Sequence, residues 1–268
     1  MSGLPWIAAL SALFLWWFST GIILLIVRRA DRLGGFAHMR ALILMVPVLV
    51  IGVFGIALSV GMRDIAGAYL GFLSALAIWG WVELAFLTGI IAGPQKAPCP
   101  PGLSGIPRFA RAWETIAWHE MALTAGLLLI VVLSDGAANQ VALWTYLTLF
   151  VARISAKLNL FFGVPYITTE FVPRRLSHLL SYFRRGPVTA AFPIGITVLT
   201  FATACFLWQL ALAPTDAEAV GWALLSAIAG LAMIEHWLML VPLAEAKLWR
   251  WMLPAPLTNS ATEERPGQ

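Results

Sequence analysis

Charged residues are scarce in this chain of 268 residues. Asp, Glu, Lys and Arg together make up 11% of it, against roughly 25% in an average soluble domain. Hydrophobic residues make up 60%, and the mean hydropathy is +0.86. Too little polar sequence remains to solvate a disordered chain or a disulfide-stapled scaffold, so both classes are excluded. The sequence therefore predicts an integral membrane protein.

The chain also has few cysteines and lacks the short motifs of soluble enzymes. Cys99 lies in a proline-rich stretch and Cys205 in an apolar run, so a bridge between them is not expected. The GxGxxG, P-loop, GxSxG, HExxH and CxxC patterns are absent. Because the basic residues are scattered along the chain, nucleic acid is not an expected partner. We assign no catalytic residue and favour a non-enzymatic role, while membrane-embedded chemistry stays open.

Seven apolar runs are long enough to cross a bilayer, which takes about 20 residues. They lie approximately at 5–27, 41–61, 66–92, 113–133, 140–160, 188–212 and 220–240, the last extending towards Trp251. We expect an all-α bundle of seven transmembrane helices that forms a single domain over 1–253. The polar segment 254–268 is expected to be a disordered cytoplasmic tail.

The basic residues predict the orientation, because Lys and Arg near the ends of spans stay on the cytoplasmic side. Of the 17 Lys and Arg residues, all except Arg63 fall on the side that also contains the C-terminus. The opposite side carries acidic residues, namely Asp64, Asp135, Asp216 and Glu218. The N-terminus is therefore expected outside and the C-terminus in the cytoplasm.

The connection after the fifth span contains a short amphipathic segment, RRLSHLLSYFRR, at 174–185. At about 100° per residue one face collects its apolar side chains. These are Leu176, Leu179, Leu180 and Phe183. The opposite face collects Arg174, His178, Ser181 and Arg185. We predict an interfacial helix that lies flat on the membrane, either as a topological anchor or as a dock for acidic lipid or a protein partner.

Several ionisable side chains fall inside the predicted spans, where a charge at a helix centre costs about 2.5 to 3.5 kcal/mol. The candidate cluster consists of His119, Glu120, His236, Glu235 and Glu83. Its expected buried counter-charges are Arg153 and Lys157, which are four positions apart and so share one helix face. Counted from the ends of their spans, all of these groups lie in the cytoplasmic half.

Three interpretations of this cluster are open. It can be a buried ion-pair network that fixes the register of the helices. It can be a pigment or metal site in which an imidazole is the ligand, with His119 favoured over His236 because it lies nearer the cytoplasmic face. It can be a proton or ion path, although the outer half of the spans is nearly bare of titrating groups. A metal is less expected than a pigment, because adjacent His and Glu diverge by about 100°, unlike the Glu-x-x-His pairs of di-iron bundles.

The block ARISAKLNLFFGVPYITTEFVPRRLSHLLSYFRR, residues 152–185, resembles the photosynthetic complex assembly protein family of purple bacteria, often called PuhE. Residues 118–120 and 139–144 and the layout of the spans resemble the same family. The resemblance carries over several motif positions whose roles are unknown. They are Arg153, Lys157, Asn159, Phe171, Ser181, Tyr182, Phe183, Arg184 and Arg185.

The resemblance implies a multi-pass protein of the inner (cytoplasmic or intracytoplasmic) membrane of a phototrophic bacterium. It would assist assembly of the photosynthetic reaction centre and light-harvesting apparatus, or tune the supply of bacteriochlorophyll. Its partners would be the lipid bilayer and either photosynthetic complex subunits or pigment-synthesis proteins, and bacteriochlorophyll or a precursor is the candidate cofactor. The alternative is a membrane-embedded metal-dependent enzyme of tetrapyrrole or quinone metabolism that uses the inner-leaflet Glu and His cluster.

Overall fold

The computed structural model describes residues 3–170 and 172–241. Within them the regular elements are helices, together with one isolated bridge between Val164 and Arg185. The α-helices are α1 (Leu4–Leu33), α2 (Ala37–Leu44), α3 (Val46–Ser59), α4 (Ile65–Leu87), α5 (Gly105–Leu133), α6 (Val141–Phe162), α7 (Ala191–Leu212) and α8 (Asp216–Trp237). A 3₁₀ helix, Arg174–Tyr182, lies between α6 and α7. Phe171, the extension towards Trp251 and the tail at 254–268 lie outside the described residues.

These eight α-helices form seven candidate spans, because α2 and α3 together make up one segment, Ala37–Ser59. Pro47 lies in the first turn of α3, where its missing N–H removes no helical hydrogen bond within α3. All seven segments are long and apolar enough to cross a membrane. The predicted all-α class with seven transmembrane helices is confirmed.

Several helix ends differ from the apolar runs because capping, not hydropathy, sets them. The hydroxyl of Thr215 accepts a hydrogen bond from the backbone N–H of Glu218 at 3.2 Å, so α8 begins before its apolar residues. The third run was expected to extend to residue 92, but α4 ends at Leu87. Gly89 follows with φ +71°, a conformation that favours glycine and ends helices.

The interior of the bundle centres on α4 and α8. In their apolar windows 67% and 44% of the residues are buried, against 17 to 28% in the other spans. Small residues such as Gly71, Ala75 and Ala229 let neighbouring helices approach these two closely. The outward faces of the remaining helices carry exposed Leu, Ile, Phe and Trp side chains, as expected where lipid is the solvent.

Of the segment predicted as an amphipathic helix over 174–185, only Arg174–Tyr182 is helical, as a 3₁₀ helix, and protein covers its apolar face. At about three residues per turn, residues 176, 179 and 182 align on one side. Leu176 and Leu179 pack with Phe86 and Ala92, while Leu180 is 37% exposed. The assignment of His178 to the polar face was wrong, because its side chain is buried. This burial, with the positive charge of Lys96 nearby, lowers the pKa of His178.

The connection between α4 and α5 lies directly against α5. The carbonyl of Ala92 accepts a hydrogen bond from the backbone N–H of His119 at 3.0 Å, and Gln95 donates its backbone N–H to the carbonyl of Glu114 at 3.3 Å. Gly93 passes so close that an added Cβ would lie 2.5 Å from the carbonyl carbon of Thr115. This connection therefore fixes the position of His119 relative to α4.

Candidate functional site: a buried charge ladder and an adjoining cavity

Two ion pairs link α6 to two other helices inside the bundle. Arg153 Nη2 donates to Glu83 Oε2 of α4 at 2.7 Å. One turn further along α6, Lys157 Nζ donates to Glu120 Oε1 of α5. Each cation thus meets a carboxylate from a different helix, and we call these four residues the charge ladder. Its pairing neutralises side chains that would be costly in lipid if they were alone.

An aromatic ring lies between the two pairs of the ladder. The ring centroid of Phe86 is 5.9 Å from the guanidinium carbon of Arg153 and 5.6 Å from Lys157 Nζ. Both distances allow cation–π attraction. Phe86 itself is buried, so its ring stabilises the two cations from inside the bundle.

His119 lies beside the ladder but is not hydrogen-bonded to it. Its Nε2 atom is 3.7 Å from Glu83 Oε1, which is too far for a hydrogen bond. Neither ring nitrogen of His119 has a partner among the described residues. The side chain is 0% exposed, and the ring of Phe86 covers it at a centroid distance of 4.2 Å. His119 thus has free ring nitrogens and no open space around them.

His236 has the opposite character, because both of its ring nitrogens are engaged. Nδ1 donates to the carbonyl of Ala232 at 2.8 Å, so Nε2 is the acceptor for the hydroxyl of Ser155 at 2.9 Å. Ser155 is itself held by Asn159, which donates to the Ser155 carbonyl at 2.9 Å. His236 therefore ties α8 to α6, and Asn159, one of the motif positions, supports that tie.

Glu235 lies apart from the ladder. Its side chain is directed towards α1, where Oε1 accepts a hydrogen bond from Trp16 Nε1 at 3.2 Å. The structure thus divides the cluster expected from the sequence. Glu83, Glu120, His119, Arg153 and Lys157 come together, whereas His236 and Glu235 make separate contacts on α8.

A cavity of about 400 Å³ adjoins the ladder. Its walls come from α1, α4, α6 and α8 and from residues 166–168 of the connection after α6. Polar lining groups include Glu83, Arg153, Glu235 and His236. Sequence reasoning missed this cavity. Its only signal in the sequence is a set of small residues on the facing helices, Gly80, Ala152, Ala156 and Ala232.

The ladder does not assemble a metal centre in the part of the chain that the structure describes. There, no group of three or more His, Cys, Asp and Glu side chains comes together in a way that could hold a metal ion. Within the ladder region, His119 with Glu83 offers two ligands at 3.7 Å from each other. Structural zinc sites use four protein ligands and catalytic ones about three.

The remaining motif positions hold the connection between α6 and α7. Arg184 donates its backbone N–H to Leu160 at 2.9 Å and accepts from Val164 at 3.2 Å, while Arg185 Nη2 donates to the carbonyl of Ile167 at 3.1 Å. Phe183 packs at the edge of the cluster around Phe86.

Two neighbouring motif residues fasten the same connection to the one after α4. Ser181 Oγ accepts from the backbone N–H of Cys99 at 2.8 Å, and Tyr182 Oη donates to the carbonyl of Ala97 at 3.2 Å. Burial raises the pKa of the Tyr182 hydroxyl. Phe171 cannot be placed among these contacts, because it lies outside the described residues.

Seven membrane-capable helices around a buried charge ladder define a multi-pass membrane protein. A family model described as "Protein of unknown function (DUF3623)" matches residues 2–260, so the chain belongs to this family. It is also 48% identical over 262 residues to a Rhodobacter capsulatus protein named "Uncharacterized 30.4 kDa protein in puhA 5'region", a match that covers 98% of this chain and 96% of the relative. No solved structure matches the chain.

Proposed function

We propose that the protein assists the assembly of photosynthetic complexes in a bacterial inner membrane, or adjusts the supply of bacteriochlorophyll to them. The observation that carries this proposal is the position of the Rhodobacter capsulatus relative in the puhA 5′ region. That neighbourhood points to a photosynthesis-related role for the relative. Because the match extends over nearly the whole of both chains, we extend the role to this protein.

The geometry favours an assisting factor over an enzyme. Several polar side chains within the spans are paired with one another: Arg153 with Glu83, Lys157 with Glu120, and His236 with Ser155. A general acid, base or nucleophile must be able to reach a substrate. Lys157 and Glu120 do not line the adjoining cavity, and Glu83 and Arg153, which do line it, are paired with each other. Such an arrangement suits a protein that binds and positions other molecules.

Within this proposal His119 is the candidate pigment ligand. An axial ligand needs a free ring nitrogen, which His119 has and His236 lacks. Ligation at His119 requires Phe86 to move, because its ring covers the imidazole. The cofactor we propose is bacteriochlorophyll or a precursor, with a metal ion as the less favoured case.

The partners we propose are photosynthetic complex subunits or pigment-synthesis proteins that meet the cytoplasmic face. The connections after α4 and α6 are the longest between the described helices, and they are fastened to each other through Tyr182 and Ser181. With the N-terminus outside, both connections lie in the cytoplasm. A partner would therefore find a pre-formed surface there.

Deletion of the gene in a phototrophic host, followed by complementation, tests the proposal. We expect near-infrared spectra of the deletion membranes to show a loss of assembled reaction-centre or light-harvesting complexes, restored by the wild-type gene. Extracted pigments should contain no new intermediate. A control gene that carries Ala204→Leu, a change on an exposed position of α7, should complement fully.

Two results would contradict the proposal. Unchanged complexes and unchanged pigment content in the deletion strain would remove the assembly and supply roles together. Accumulation of one tetrapyrrole or quinone precursor, with stoichiometric metal in the purified protein, would instead support a metal-dependent membrane enzyme.

A further inference from the structure

The cavity lies among four helices that run in the same direction. Successive spans alternate in direction, so α1, α4, α6 and α8, which are the first, third, fifth and seventh spans, are parallel. Small side chains make the space. Ala152 and Ala156 lie one turn apart on α6, and Ala232 lines the cavity from α8. At about 400 Å³ the cavity falls within the range of about 300 to 1,000 Å³ typical of small-molecule sites.

The charges that line the cavity disfavour an anionic ligand. They are the carboxylates of Glu83 and Glu235 and the guanidinium of Arg153. With both carboxylates ionised the lining has a net negative charge, and with one of them protonated it is neutral. In neither state does it offer the positive charge that an anion needs in surroundings of low dielectric.

The uncharged lining favours a flat, apolar body that carries oxygen atoms. Trp16, Trp79 and Tyr166 supply aromatic surface, and Leu76, Leu149, Ile228 and Leu231 supply aliphatic surface. Hydrogen-bonding groups stand on separate helices, with Arg153 on α6 and Glu235 on α8. A ring with polar atoms on different edges can therefore reach donors and acceptors on different walls.

Within the described part of the chain, two buried polar atoms of residues that line the cavity lack hydrogen-bond partners. Glu83 is 8% exposed, and its Oε1 atom has no hydrogen-bond partner among the described residues. The Nε atom of Arg153 is also buried and also lacks a hydrogen-bond partner among the described residues. Arg153, whose side chain is 34% exposed, and Glu235 present polar groups to the cavity itself. The lining therefore suits an occupant with polar atoms rather than lipid tails alone.

We propose that this cavity binds a neutral molecule of the quinone type, a single ring that carries oxygen atoms and an apolar tail. One carbonyl oxygen accepts a hydrogen bond from Arg153, and in the reduced form the hydroxyl on the opposite edge of the ring donates to Glu235. The ring packs against Trp79, and the tail follows Ile23 and Leu24 of α1. A tetrapyrrole is several times larger than one ring, so this site is distinct from any pigment site at His119, which does not line the cavity. Quinone binding goes beyond the assembly role and does not depend on it.

Binding by the purified full chain in phosphatidylcholine nanodiscs tests the proposal. The probe is radiolabelled ubiquinone with one isoprene unit, and empty nanodiscs correct for partition into lipid. We expect saturable binding, reduced at least about tenfold by Ala156→Leu, because the larger side chain fills the void. The matched control is Ala204→Leu on the exposed face of α7, which should bind as the wild type does. If Ala156→Leu does not accumulate, Ala152→Leu enters the same void from one turn earlier.

A second measurement tests the charge argument with a variant that keeps the shape of the side chain. Decanoate, an anionic amphiphile, should bind the wild type at least about tenfold more weakly than the quinone does. Glu235→Gln should reduce the difference in affinity between decanoate and the quinone, because it removes a negative charge from the cavity. The amide oxygen of Gln still accepts the hydrogen bond from Trp16. Absence of saturable quinone binding, equal binding by Ala156→Leu and Ala204→Leu, or tighter binding of decanoate by the wild type would each overturn the proposal. Complex yield in the deletion strain does not enter either measurement, so the two proposals fail independently.

Discussion

Arg153 Nη2 lies 2.7 Å from Glu83 Oε2, so a guanidinium of α6 is neutralised by a carboxylate of α4 within the spanning region of the bundle. Lys157 repeats the arrangement one turn later with Glu120 of α5. The ladder thus joins three helices, α4, α5 and α6, by ion pairs in addition to the packing of the surrounding apolar side chains. Its pairing can be tested separately from any function.

Removal of both members of a ladder pair should destabilise the protein by less than the sum of the two single removals. Lys157→Ala or Glu120→Ala alone should cost about 2 to 4 kcal/mol, because a buried charge loses its partner or must become neutral. The double variant should cost less than the sum of the two. Thermal unfolding midpoints in detergent measure this, with Lys96→Ala, an exposed position, as the control. Additive losses would show that the pair does not interact.

The two histidines should respond differently to substitution. His119→Gln breaks no hydrogen bond. We therefore expect it to lower the free energy of unfolding by less than about 1 kcal/mol, as measured from the thermal midpoint. Ser155→Ala leaves Nε2 of His236 without its partner and should cost about 1 to 3 kcal/mol.

The same His119→Gln variant tests the pigment proposal. If His119 is a ligand, pigment that copurifies with the protein should disappear while accumulation in the membrane stays normal. Absorption spectra of the purified protein measure this directly. Normal complex yield and normal bound pigment in a His119→Gln, His236→Gln double variant would end the ligand proposal.

Gly93→Ala should separate the α4–α5 connection from α5. The new methyl group would meet the backbone of Glu114 and Thr115, which cannot move aside as a flexible side chain could. We expect a loss of about 1 to 3 kcal/mol and faster proteolysis within 88–104. Gly186→Ala is the matched control, since nothing lies within 4 Å of its added Cβ. Equal behaviour of the two variants would contradict the close packing at Gly93.

The orientation of the chain is a prediction that reporter fusions decide. Alkaline phosphatase should be active when fused after Gly136 or Pro214, in the α5–α6 and α7–α8 connections, and inactive after Gly102 or Gly186. The reason is the retention of basic residues on the cytoplasmic side. The reverse pattern would place the N-terminus inside.

The spans could be predicted from the sequence because the length and hydropathy of a run are local properties. The shared face of Arg153 and Lys157 was also accessible, since a spacing of four fixes it. Which carboxylate meets which cation depends on how α4, α5 and α6 are arranged, and no local pattern records that arrangement. Glu235 shows the limit, because only packing directs it to Trp16 instead of the ladder.

The 3₁₀ helix and the cavity were beyond prediction for a related reason. The apolar residues of 174–185 fit a period of about 3.6 and one of about three. Contact with Phe86 and Ala92 selects the second, because it buries Leu176 and Leu179 together. A cavity is the volume that side chains from several helices leave unfilled. Small residues such as Ala152 and Ala156 therefore predict a cavity only once the packing of the neighbouring helices is known.

The ladder also has a consequence for the order in which the chain enters the membrane. Glu83 and Glu120 belong to helices that are synthesised before α6, so both carboxylates precede the two cations into the bilayer. With a mean hydropathy of 1.3, α6 is the least apolar of the seven spans, and it carries the basic side chains that cost most in lipid. We therefore expect the carboxylates of the helices already in place to favour its insertion. A chain that ends before α6 would leave the carboxylates of Glu83 and Glu120 in the bilayer without their cations.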